Sequence, residues 1–265
     1  MTPTKQQGDE HQDVKASSAI YIYGIVPGDV EVEEHAQGIG DPPATVEIVR
    51  EGDIAALVSS VPTDHSIGKP EDLRAHAQLL DATASVAPVL PMRFGSLMPD
   101  TKSVAAELLR KHHDEFAGAL ESLEGHAEFI IRGRYDEQLF LRDLLESNDQ
   151  ARALQDDIKA KPEEVSRNSR MALGELIANT IEAKRQADTQ AVLGLLETVA
   201  EKSSVREPTH EWDAVHIALL AEVDRETDLR EAIDALSEKA QGRITMRLLG
   251  PLAAYDFVMT AAPEA

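Results

Sequence analysis

The sequence predicts an α+β fold of two domains with mixed or antiparallel sheets. Three observations predict it. Strand-like and helix-like runs occur in both halves of the chain, without the steady alternation that a doubly wound parallel sheet requires. With 265 residues, 42% of them hydrophobic, the chain can bury one large or two medium cores. A mostly helical block, about 136–202, separates a strand near 128–132 from the strands after 215, so the second domain carries a long helical insertion. The boundary falls near Gly125: residues 1–18 form a disordered leader, 19–125 the N-terminal domain and 126–265 the C-terminal domain.

Residues 19–26 are apolar on both faces, as in a central strand. Two further strands, about 44–50 and 54–59, flank Glu51-Gly52-Asp53, which is hairpin chemistry. Pro70 opens a helix with Glu71 and Asp72 in its first turn, and Leu73, Ala77, Leu80 and Ala84 form its apolar stripe. Pro88 ends that helix, and a strand runs from Val89 to Phe94. Asp100 caps a helix over 101–124, with Val104, Leu108, Phe116 and Leu120 along one face and Gly125 closing it.

After the 128–132 strand, the helical block breaks near Pro162. Its second part carries Leu173, Leu176, Ile177 and Ile181, then Val192, Leu195, Leu196 and Val199, around the polar stretch Lys184–Asp188. The helix either crosses solvent at that stretch or breaks there. Odd positions from Val215 to Val223 are apolar, a strand pattern, and a helix follows over about 226–240. Ile244, Met246 and Leu248 alternate with Arg243, Thr245 and Arg247, which marks a half-buried strand. A turn at Gly250-Pro251 leads to a last short strand, Tyr255 to Val258. With its helices on one face, such an arrangement of strands and helices would be ferredoxin-like.

Three apolar-glycine stretches hold three of the four tyrosines and two of the five phenylalanines. They are Ala19-Ile20-Tyr21-Ile22-Tyr23-Gly24-Ile25-Val26, Pro88-Val89-Leu90-Pro91-Met92-Arg93-Phe94-Gly95 and Leu249-Gly250-Pro251-Leu252-Ala253-Ala254-Tyr255-Asp256-Phe257-Val258. In a chain with 4% aromatic residues, this concentration marks structural anchors. In order and spacing, Y-x-Y-G-I, L-P-x-R-F-G and G-P-x-x-x-Y-x-F resemble the gas vesicle protein F/L family over roughly residues 19–259. Where that family often reads G-P-W-P-P-Y-x-F, this chain has Leu252, Ala253 and Ala254, which loosens a rigid turn. The resemblance implies a ferredoxin-like C-terminal part. It also implies an accessory protein of gas vesicle assembly that binds the hydrophobic shell subunit and works beside other vesicle accessory proteins.

Composition excludes several other roles. The formal net charge of −22 opposes nucleic acid, which needs clustered Lys and Arg, and anionic membrane surfaces. The absence of cysteine removes disulfides, thiolate catalysis and Cys-based metal sites. No run approaches the ~20 apolar residues of a membrane span, and the polar first 18 residues lack a signal-peptide core. The expected location is the cytoplasm, in association with gas vesicles.

No catalytic, cofactor or metal set emerges. His112 and His113 are adjacent and diverge on a helix, and no H-x-x-x-H spacing exists. Asp64-His65-Ser66 has the residue types of a triad but is contiguous, so it reads as a loop. Gly38-Ile39-Gly40-Asp41-Pro42-Pro43 lacks the ending of a phosphate loop. Arg93, between Met92 and Phe94, either pairs with a carboxylate or faces a partner. The residues expected at a partner surface are Arg93, Leu195, Leu196, Leu252 and Tyr255, with the polar stretch 184–188 and the turn 252–254 as adaptable surface. The alternatives are a scaffold that links several assembly proteins through the helical block, and a ligand-binding or enzymatic domain anchored by Arg93.

Overall fold

The computed structural model describes residues 18–33, 35–63 and 67–258. The expected leader, apart from Ser18, and the Asp64-His65-Ser66 loop lie outside the described residues.

The first sheet contains β1 (Ser18–Pro27), β2 (Glu47–Glu51), β3 (Ile54–Pro62), β4 (Leu90–Pro91) and β5 (Leu97–Met98). Its order is β2-β3-β1-β4, with β5 also on β1, and every pairing is antiparallel. As its two-faced apolarity predicts, β1 is central. The register of β1 on β3 slips between Ile22 and Gly24. This bulge shifts the side-chain alternation, so Ile25 joins Ile20 and Ile22 in one core while Val26 joins Tyr21 and Tyr23 in the other. A Cβ on Gly24 would stand 2.8 Å from Leu80 Cδ2 and 2.9 Å from the Leu90 carbonyl oxygen, so no larger residue fits there.

Each face of this sheet is covered by helix. On one side lies α1 (Pro70–Ala84). Its inner residues are Asp72, His76, Leu80 and Ala84, and Leu73, expected inside, is 55% exposed. The stripe is turned because two polar side chains have buried partners on that side. Against the other face lie α2 (Thr101–Ser103), a π-helical stretch (Val104–Arg110) and α3 (His113–Glu121). Asp100 caps this run as expected, its Oδ1 accepting from Ser103 N at 2.7 Å. The single helix expected over 101–124 is therefore an interrupted one. The strand expected from Val89 to Phe94 is reduced to Leu90–Pro91. The chain turns at Gly95 (φ +90°) and returns as β5.

The second sheet contains β6 (His126–Tyr135), β7 (Lys202–Val205), β8 (Asp213–Glu222) and β9 (Ile244–Leu252), antiparallel throughout in the order β7-β8-β6-β9. Between β6 and β7 come α4 (Glu137–Ser147), α5 (Asp149–Ala160) and α6 (Arg167–Leu196), and α7 (Glu226–Lys239) joins β8 to β9. Ile181, Val192 and Leu196 of α6 and Leu229 and Ile233 of α7 cover one face, against Phe129, Ile131, Val215, Ile217 and Leu219. α6 is continuous through Lys184–Asp188. β7 was not expected, since Lys-Ser-Ser-Val has neither alternation nor bulk. The last strand expected at Tyr255–Val258 is a turn instead, held by the Tyr255 and Phe257 amides bonding back to Ala253 and Ala254.

Candidate functional site

The three glycine-containing motifs, far apart in sequence, meet at the junction of the two sheets. The first brings Tyr21 and Tyr23, both fully buried, with ring centroids 4.8 Å apart. Buried phenols need partners. Tyr21 Oη lies 2.9 Å from His76 Nδ1 and accepts from the Gly95 amide of the second motif at 3.2 Å. Tyr23 Oη donates to Ser59 Oγ at 3.0 Å and accepts from the Ile39 amide at 2.9 Å. The Gly-rich segment that begins at Gly38 thus docks on a tyrosine, and a Cβ at Gly38 would lie 1.9 Å from that hydroxyl. Asp72 fastens the same loop to the start of α1, accepting from the Gly40, Gly68 and Lys69 amides.

His76 is 2% exposed and edge-on to Tyr21 and Phe94. Its Nε2 has no partner of hydrogen-bond geometry. Burial pushes the ring down to about 4, with a small opposing effect of the Met92 backbone, so the imidazole is neutral at pH 7.

The third motif closes the junction. Gly250 has φ +139°, and a Cβ there would stand 2.5 Å from Phe129 Cδ1. Beyond it, Ala253 packs among Tyr21, Tyr23, Leu80 and Val89, while Ala254 packs with Ile22, Leu108 and Leu220. The turn 252–254, expected as adaptable surface, is buried at both alanines. The small side chains are what let it insert between two cores. Two carboxylates hold its backbone: Asp81 of α1 accepts from Ala253 N at 3.1 Å, and Glu128 of β6 accepts from Asp256 N at 2.9 Å. Arg206 joins the last two elements, 2.8 Å from Glu128 Oε1 and bidentate on Asp256 at 2.6 and 2.8 Å.

Glu128 is 1% exposed. Burial, together with the charges of Asp256 and Asp81, pushes its carboxyl up to about 7 against the Asp256 amide and Arg206. Arg206 lowers Glu128 but does not outweigh burial, and its own strongest partner is Asp256. Burial also raises Asp81.

The residues expected at a partner surface are dispersed. Arg93 is exposed and makes no ion pair among the described residues. Leu195 is 50% exposed, whereas Leu196 is 1% exposed and part of the C-terminal core. Leu252, the last residue of β9, is half-buried, and Tyr255, 39% exposed, lies in the turn that follows. The polar stretch of α6 is an internal fastening: Arg185 donates to the Asp213 and Glu211 carbonyls at 2.7 and 2.9 Å, and Tyr135 donates to Asp188 at 2.6 Å. His112 and His113 lie on carboxylates, His113 at 2.6 Å from Asp53. Sequence reasoning missed Asp81, His76, Glu128 and Arg206. One signal was present: Glu128 sits in a strand between Ala127 and Phe129, where a charge needs a buried partner.

These same motifs fall within the part of the chain matched by the sequence model of the family described as gas vesicle synthesis protein GvpL/GvpF, residues 19–259. The chain belongs to this family. Gas vesicle protein F of a Streptomyces species is 33% identical over 90% of this chain and 98% of that protein. Gas vesicle protein F of Dolichospermum flosaquae is 24% identical over 91% and 98%. The crystal structure of the gas vesicle protein GvpF from Anabaena sp. PCC7120 covers 92% of this chain and 99% of its own, with a TM-score of 0.76 at 20% identity, a likeness of fold. The GvpL/GvpF fold is thus α+β, as expected. Among the described residues no helix is long and apolar enough to cross a membrane.

Proposed function

We propose that this protein is an accessory of gas vesicle assembly that binds the hydrophobic shell subunit and keeps it soluble or positions it as the shell forms. The observation that carries this reading is the family match over residues 19–259, a span that includes the whole junction. The physics is compatible. A shell subunit with an apolar face aggregates through that face and through open strand edges. A protein of net charge −22 bound to it would keep the complex dispersed by self-repulsion. The action is binding rather than catalysis, in the cytoplasm beside the vesicle, and other vesicle accessory proteins are further partners.

Co-expression with the vesicle shell subunit tests this. The reading predicts that the shell subunit stays in the soluble fraction and co-purifies with this chain. Aggregation of the shell subunit with nothing co-purifying would contradict it and bring the scaffold reading forward.

A further inference from the structure

The face of the second sheet opposite α6 and α7 carries an arginine cluster that neither the junction nor the core uses. Inward positions of β6 are Ala127, Phe129, Ile131 and Tyr135, so Ile130, Arg132 and Arg134 point to the other side. On β9 the outward residues are Thr245, Arg247 and Leu249. In register, Ile130 lies opposite Leu249, Arg132 opposite Arg247, and Arg134 opposite Thr245. The face therefore has an aliphatic row beside a basic row. Leu249 is 44% exposed, and Arg132, Arg134 and Arg247 are exposed. Arg132, Arg134 and Arg247, with Thr245, Asp136 and Asp213, line a hollow of about 420 Å³.

Like charges directly opposite on a sheet are destabilising. The chain holds 48 Asp and Glu against 26 Lys and Arg, so a surface arginine should readily find a carboxylate. Arg132 instead donates to Thr209 Oγ1 at 2.7 Å, and Arg247 has no ion pair among the described residues. The carboxylates nearby are already engaged. Asp213 accepts from Arg134 and from the Thr209 and His210 amides, and Asp136 caps α4 through the Leu139 amide. Arg206, on the same face, is neutralised by Glu128 and Asp256.

We propose that this face binds an acidic protein segment, whose carboxylates engage Arg132 and Arg247 while a neighbouring apolar side chain covers Ile130 and Leu249. The net charge of the chain favours a short acidic segment over a nucleic acid. Screening over about 8 Å lets a few carboxylates feel only the local cluster, whereas an extended polyanion meets the repulsion of the surrounding surface. The aliphatic row points the same way, since a phosphate backbone has no use for it.

The test uses the full chain and a fluorescein-labelled peptide of four Glu-Leu repeats, read by anisotropy, with single-stranded DNA of similar length as the competing probe. The peptide is expected to bind the wild type. Reversing both arginines, Arg132→Glu with Arg247→Glu, should weaken it about tenfold or more. The control reversal Arg74→Glu with Arg142→Glu, at exposed arginines elsewhere, should leave it unchanged. In the absence of peptide, Arg247→Glu should raise Tm by about 2 °C, because it exchanges a cross-strand repulsion for an attraction. That readout also shows that the variant folds. Absence of peptide binding, equal affinity in the double reversal, a lowered Tm for Arg247→Glu, or tighter binding of DNA than of peptide would each overturn the proposal.

Discussion

His76 and Glu128 are both buried at the junction, and burial moves them in opposite senses: the imidazole down to about 4, the carboxyl up to about 7. Their contributions to stability therefore oppose each other with pH. The folded state holds less proton than the unfolded on His76 between about 4 and 6.5, so that contribution is lost as pH falls through this window. On Glu128 the folded state holds more proton between 4.5 and about 7, so that contribution is present below the window and lost as pH rises through it. Two substitutions separate them. Relative to wild type, the Tm of Glu128→Gln should rise as pH increases from 4.5 to 7, and that of His76→Gln should fall as pH increases from 4 to 6.5. Thermal melts across that range check both slopes, and parallel curves would refute the assignment. Neither residue was recognisable as a pair member in the sequence, because their partners come from other elements. Gly38 shows the same limit. Its role is set by Tyr23 Oη, 15 residues earlier in the chain, and Gly38→Ala should cost roughly 2–4 kcal/mol through displacement of that hydroxyl.

At the scale of elements, periodicity located most strands and helices and failed where tertiary partners overrode it. The α1 stripe turned toward Asp72 and His76, leaving Leu73 in solvent. The polar stretch of α6 stayed helical because Arg185 and Asp188 bond to the start of β8 and to the end of β6. β7 formed from a polar tetrapeptide because β8 offered a free edge. Tyr255–Val258 became a turn because the backbone there is taken by Glu128 and by its own carbonyls. α6 also supplies a sharp contrast. Leu196→Asp places a carboxylate in the C-terminal core and should destabilise by roughly 3 kcal/mol or more, whereas exposed Leu195→Asp should change stability by less than about 0.5 kcal/mol. Urea denaturation measures both. If the Leu195 variant folds but no longer co-purifies with the shell subunit, that side of α6 is partner surface. Gly250→Ala belongs to this scale as well: with φ +139° and Phe129 Cδ1 2.5 Å away, it should cost roughly 2–5 kcal/mol.

At the scale of the molecule, the family signature extends over residues 19–259, and its three parts build one joint. Ala253 sits in the core beneath α1, and Ala254 and Leu220 sit in the core beneath α3. The C-terminal half thus contributes to both cores of the N-terminal half. The motifs were legible as anchors from their aromatic and glycine content, and family membership followed from their order. Their meeting point was not legible, since it rests on Asp81, Glu128 and Arg206, polar residues lost among 48 carboxylates in the sequence. We read the second sheet, strand order β7-β8-β6-β9 with α6 and α7 on one face, as a ferredoxin-like unit fastened by that joint. Scanning calorimetry of the wild type and of Arg206→Ala tests the joint most directly. The wild type should show one transition, with calorimetric and van't Hoff enthalpies equal, and the variant two separated transitions once Arg206 no longer bridges Glu128 and Asp256. Two independent transitions in the wild type would contradict it.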